Sequence, residues 1–426
     1  MALLNSGRKD KRSNRKFLIP LAMAALTFSS QLWAYFSSDD EAKRFFERIA
    51  GVPPTQAQID SIRAAGDLDT AKLIPLNSPY FYNVTLKNMI TPWTNEAQTP
   101  FAPLNDYSAT VIGIVADELD FRQVLYTDKV YTAGGAVSAS YSLSNNNHYL
   151  QIEQLMDEGT GLDTLLTPKA QNLSAPAGVM TTRAAGRAFF SGGTNRAMLR
   201  FTLINHLCMD LEQFKDTSRP ADRIRQDVSR SPGGDSSIFL NNCIGCHSGM
   251  DPLAQAFAYY DFEYGDDEEN IENGTLVYNS SGTVDPETVA ILDESPSLDR
   301  VSDPNVLYRV QEKYFYNATT FPYGYVTTSD QWTNYWREGR NRGVLWNAGL
   351  ESPGSTGFGA NSLGQELANS QAFAQCHVTH VFKTVCLREP EDGDDDEIKT
   401  LTDTFMGNNY NLKEIFALTG EYCAGD

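Results

Sequence analysis

The sequence predicts a mainly α, multi-helical fold with irregular loops. Three observations carry that prediction. Apolar residues recur at helical spacing in one segment after another, those segments open on capping residues and close on Gly or Pro, and no strand-helix-strand alternation or internal repeat runs through the chain. The 426 residues, 41% of them hydrophobic, suffice for two or three regions with real cores. The expected bounds are a leader over 1–34, an N-terminal helical region over 35–165, a central region over 166–300 and a C-terminal helical region over 301–426.

Asp39, Asp40 and Glu41 open a short amphipathic helix through Phe45, Phe46 and Ile49, which Gly51 and the Pro53-Pro54 pair end. Thr55 caps a second helix, with Gln58 completing a capping box. Residues 79–95 are aromatic and mixed; Tyr107 to Val115 suits either helix or strand; Phe121 to Tyr126 reads as a helical turn. Thr194-Asn195-Arg196 starts a strong helix through Met198-Leu199, Leu203 and His206-Leu207, and Asp222 to Ser229 predicts a shorter one. Segments 263–300 and 350–365 are rich in Gly, Ser, Asn and acidic residues and read as loops. A closing helix runs through Phe373, Val378, Phe382 and Val385. The acidic run Glu391 to Glu397 lacks the Gly and the final Glu of a calcium loop, so it reads as a solvated helix N-terminus.

The chain begins with Arg8, Lys9, Lys11, Arg12, Arg15 and Lys16 and then turns apolar from Phe17 to about Ala34, the layout of an export signal. Leu32-Trp33-Ala34 is an acceptable cleavage site; an uncleaved membrane anchor is the alternative. Cleavage would remove six basic side chains and Asp10, taking the net charge from -20 to -25. So acidic a surface excludes nucleic acid and anionic lipid as partners and suits a protein with a basic docking patch, although a saline habitat produces the same composition.

Two of the six cysteines stand in Cys243-Ile244-Gly245-Cys246-His247, a C-x-x-C-H run. This is the attachment signal for a c-type haem: two thiols add across the vinyl groups, and the imidazole of His247 is placed to ligate the iron. A zinc site would need a second pair of ligands at matching spacing, and there is no other C-x-x-C. The prediction is one haem c, iron included, in a cytochrome c-like segment embedded in a larger helical protein. Cys208, Cys376, Cys386 and Cys423 remain, and an oxidising compartment makes disulfides their default. Cys376 and Cys386 lie ten residues apart on one helix, about 15 Å, too far to bridge each other. Cys208 to Cys376 with Cys386 to Cys423 is the preferred pairing, and the swapped one is the alternative.

With these residues in hand, the chain resembles the large planctomycete-type cytochrome c proteins, exported and mostly helical. The resemblance rests on Gly178-Val179-Met180-Thr181-Thr182-Arg183, on Asn205-His206-Leu207-Cys208, and on the C-x-x-C-H followed by Met250-Asp251-Pro252-Leu253 and Tyr260-Asp261-Phe262. Gly51-Val52-Pro53-Pro54-Thr55, Asn147-His148-Tyr149 and Phe373 to Arg388 are similar to further family segments. Ala254 stands where the family usually has Gly. The family has no settled biochemical role, so the resemblance implies fold and cofactor more than function.

The second axial ligand decides what such a haem does. Through the His-Tyr resemblance His148 is the leading distal ligand, and through the Gly-Val-Met-Thr turn Met180 is the second. Met250 lies too close to His247 to reach the opposite face, and His206, Met209, His377 and His380 read as packing residues. Residues 183–230 carry a local excess of arginine, and Arg183 and Arg230 are the expected donors to the haem propionates.

Six-coordinate iron would make the protein an electron carrier of the periplasm or cell envelope, passing single electrons to a redox partner. The alternatives are a haem-containing oxidoreductase or peroxidase-like subunit, and an envelope scaffold whose haem is structural. Neither a Gly-x-Ser-x-Gly elbow nor a His-Glu-x-x-His zinc motif occurs.

Overall fold

The computed structural model describes residues 35–425 except 191–192, 266–272, 283–308, 316, 318 and 343–354. The expected leader over 1–34, most of the expected loop over 263–300 and the start of that over 350–365 lie outside the described residues. Eleven described helices have seven residues or more. They are α1 (Asp39–Ala50), α2 (Gln56–Ala64), α3 (Asp106–Ala116), α4 (Asn147–Asp157), α5 (Arg183–Phe189), α6 (Arg196–Leu207), α7 (Ile244–Ala254), α8 (Gly359–Ala368), α9 (Gln371–Cys386), α10 (Asp395–Gly407) and α11 (Leu412–Ala424). Among the described residues strand is confined to three antiparallel pairs: β1 (Lys129–Thr132) with β2 (Thr167–Ala170), β3 (Tyr260–Tyr264) with β4 (Gly274–Tyr278), and β5 (Gln331–Thr333) with β6 (Thr356–Phe358). The fold is mainly α and multi-helical, as predicted.

Local chemistry accounts for the helix ends. Ser38 caps α1 by accepting from the Glu41 amide, three acids fill its first turn, and Gly51 ends it at φ 73°. Its buried residues Ala42, Phe45, Phe46 and Ile49 form one stripe. Thr55 and Gln58 make the reciprocal capping box that starts α2. The ambiguous 107–115 run is helix: Asn105 and Ser108 box its start, and every residue from Asp106 to Val115 is buried. A helix surrounded on all sides has no polar face, which is why its periodicity could not separate it from a strand.

Two expectations about local structure need correction. Asp222 to Ser229 is not helical. The Arg230 guanidinium takes the carbonyls of Ile224, Arg225 and Val228, and Arg225 bridges to Tyr325, so these backbone groups are satisfied without a helical ladder. The expected loops over 263–300 and 350–365 also contain the end of β3, all of β4 and β6, and most of α8.

The core joins the first and last described helices. Contacts gather Ala34–Asp426 into one unit, in which α1 packs on α11 and α9, and α9 packs on α10, α11 and α6. Disulfides Cys208–Cys376 and Cys386–Cys423 tie α9 to the end of α6 and to α11, the preferred pairing. Around α7 stand α6, the Leu211–Phe214 turn, β5 and the Tyr335–Arg337 turn, while α9 and α11 pack on α1. No described helix is long and apolar enough to cross a membrane.

Candidate functional site

The C-x-x-C-H run lies where a π-helical turn, Phe239–Cys243, passes into α7. Such turns displace a side chain from the regular helical register. One face of α7 is committed to packing. A Cβ on Gly245 would lie 2.7 Å from Lys215 Cγ, and one on Gly249 would lie 2.1 Å from Trp336 Nε1, so only glycine admits the 215–217 segment and the Trp336 ring there. Trp336 stacks on Phe214 at 4.5 Å between ring centroids. With that face closed, Cys243, Cys246 and His247 fall on the half-buried side.

The other four cysteines form disulfides, and Cys243 and Cys246 are the free thiols. Desolvation pushes the Cys246 thiol up. His247 Nδ1 lies 3.0 Å from Oδ1 of Asp251, one turn along the same helix. Asp251 is fully buried, and Arg196 grips it with Nε at 2.7 Å from Oδ1 and Nη2 at 3.2 Å from Oδ2. The Arg225 amide donates to Oδ2 at 3.2 Å. Arg196 also pairs with Asp227 through both terminal nitrogens, at 2.6 and 2.9 Å. Burial alone would raise the Asp251 carboxyl, but the Arg196 charge and the His247 hydrogen bond outweigh it and hold the group well below the usual carboxylate range.

This arrangement defines the imidazole chemically. A carboxylate on Nδ1 makes that nitrogen the donor and leaves Nε2 as the atom with a free lone pair. Two unpaired thiols at C-x-x-C spacing and an imidazole with an uncommitted nitrogen are the donors a covalently attached haem takes. The residues present fit that group.

The distal expectations fit less well. His148, at the start of α4, is buried, with Nε2 accepting from the Ala133 amide at 3.1 Å and Nδ1 2.6 Å from the Ala139 carbonyl oxygen. Neither nitrogen is left for iron, so its role here is to pin the 133–139 loop. Met180 is a core methionine whose Cε lies 3.0 Å from where a Cβ on Gly364 would sit, beneath α8. Arg183 is committed to the β3–β4 hairpin, where Nε donates to the Gly274 carbonyl at 3.2 Å and the guanidinium lies over Phe262. Arg230 does lie beside the motif, 5.1 Å from the Phe239 ring centroid, but both terminal nitrogens hold loop carbonyls.

The remaining histidines cluster elsewhere. Tyr107 Oη is 2.8 Å from His206 Nε2, His206 Nδ1 is 3.3 Å from His377 Nε2, and Trp93 packs against His206, His377 and His380. Burial drives His206 down to about 3, His380 to about 4 and His377 well below its ordinary value. His380 also lies near Cys208 and Cys376, but those sulfurs are joined to each other, which removes them as metal ligands.

Asp251, Arg196 and Asp227 were not anticipated as site residues. His247 and Asp251 at i, i+4 on a helix was the available signal. Arg196 and Asp227 reach the site only through the tertiary fold. No protein-family model matches the chain, nor does any curated protein or solved structure.

Proposed function

We propose that the chain is an exported c-type cytochrome that carries one haem on Cys243 and Cys246, with His247 Nε2 as proximal ligand, and passes single electrons to a partner protein. The observation behind this reading is that Cys243 and Cys246 are the unpaired cysteines while His247 has its Nδ1 held by Asp251. The bound group would supply a one-electron iron couple. The chain's residues would anchor it through two thioethers, present one imidazole nitrogen and fix that ring's orientation. The acidic composition suits a partner with a basic docking patch, and both disulfides are compatible with a periplasmic or envelope location.

Thioether attachment survives denaturation. Protein from a host competent in haem attachment should therefore retain haem in a denaturing gel, and Cys246→Ala should sharply reduce it. A colourless protein from that host would overturn the reading.

A second reading, a haem enzyme with an open distal position, draws support from the placement of the other histidines. His148 has both nitrogens engaged, and the remaining three sit together in the α6–α9 interior. Adding CO to the reduced protein separates the two: fast binding favours the enzyme, and a spectrum unmoved by CO favours the carrier.

A further inference from the structure

We propose that Asp251 is the positioning residue that sets the reduction potential of the haem held by His247, an inference that rests on the haem reading above. His247 lies one helical turn before Asp251, so the backbone of α7 itself presents the carboxylate to Nδ1. The carboxylate cannot swing away. Arg196 holds both of its oxygens, the Arg225 amide holds one of them again, and the side chain has no exposed surface.

The surroundings keep the carboxylate ionised and fixed in place. Arg196 divides its guanidinium between Asp251 and Asp227, and Arg225 lies 3.6 Å from Asp227 while its Nη2 donates to the Tyr314 carbonyl at 2.6 Å. Two arginines and two aspartates therefore close a neutral set in which Asp251 Oδ1 faces His247. Within it, Oδ1 accepts from both the Arg196 Nε and the His247 ring.

The consequence for Nε2 is electronic. A hydrogen bond from Nδ1 to an anion makes the ring a stronger donor than one to a neutral carbonyl would, and a stronger proximal donor favours ferric over ferrous iron. His247 keeps its Nδ1 proton in both oxidation states. One electron enters from a reduced partner protein, and no bond forms or breaks.

The test is Asp251→Asn, which keeps the shape and a side-chain oxygen as acceptor but removes the charge. The holoprotein should retain covalent haem and titrate at a more positive potential. The expected shift is at least a tenfold rise in the reduced-to-oxidised ratio at a fixed poise, about 59 mV for a one-electron couple. Asp251→Glu should restore the lower value in part. A haem-loaded Asp251→Asn protein with an unchanged potential overturns the proposal. Should that variant fail to fold, ring nitrogen NMR on the unaltered ferrous holoprotein decides instead. A strongly deshielded Nδ1 proton on His247 supports the carboxylate bond, and one at the position given by a neutral carbonyl acceptor overturns it. Loss of covalent haem from the unaltered protein is a separate result, which would remove the haem reading itself.

Discussion

Two regions of this molecule use histidine in opposite ways. At the motif, His247 is half-buried and its neighbours are ionic: Asp251, then Arg196, then Asp227. In the α6–α9 interior, His206 and His377 are fully enclosed and meet Tyr107, Trp93, Phe121, Phe373 and each other. A carboxylate within hydrogen-bond reach makes an imidazole a directed ligand; aromatic walls make it a neutral spacer with two polar atoms. The residue type does not distinguish them, but the partners do.

Acid should separate the regions most strongly. His206 is held near 3 against an ordinary 6.5, and His377 is also depressed, so below about pH 6.5 the unfolded chain takes up protons that the folded chain refuses. Stability should fall as pH drops from about 6.5 toward 3, by up to about 1.4 kcal/mol per pH unit for each of these histidines. Asp251 has the other sign: its contribution is present above the ordinary carboxylate value and is lost only as pH falls through its depressed folded value. Urea midpoints measured between pH 7 and 4 should therefore follow the buried histidines and not Asp251, and His377→Leu should flatten the slope. An unchanged slope would break the comparison.

Arg196→Met attacks the ionic region. It leaves Asp251 and Asp227 without their shared cation and should cost about 3–5 kcal/mol in denaturant unfolding at pH 7. Gly249→Ala should cost about 1–3 kcal/mol, because the added carbon meets the Trp336 ring and outweighs the roughly 1 kcal/mol gained from helix propensity. His148→Gln belongs to neither region. It should lower stability by about 1–3 kcal/mol through the Ala133 amide and leave the visible spectrum of haem-loaded protein unchanged. A spectrum that moved to high spin would return His148 to the iron.

Much of the helical frame was legible because its signals are local. The acids Asp39 to Glu41, Thr55 and Gly51 announce helix ends, and Phe45, Phe46 and Ile49 state which face is buried. Helical rise excluded a Cys376–Cys386 bond, since both residues share α9, but left open which of them meets Cys208. The 222–229 segment was misread because Arg230 supplies a competing set of hydrogen bonds that no propensity includes. The same limit applies at the site. Cys243, Cys246 and His247 are adjacent in sequence, whereas Arg196 comes to Asp251 from 55 residues away. His148 was singled out by its neighbour Tyr149, and sequence has no way to register that the 133–139 backbone occupies both of its nitrogens.

The Cys208–Cys376 bond has a bearing on assembly that is separate from the stability it adds. The two residues are 168 positions apart, and Cys243 and Cys246 lie between them. A chain that reaches an oxidising environment N-terminus first presents those two thiols to Cys208 before Cys376 arrives, so the earliest bond open to Cys208 is a wrong one. Correct maturation thus depends on timing. A bond formed early between Cys208 and either thiol must be exchanged by thiolate attack once α9 arrives, unless that bond is prevented.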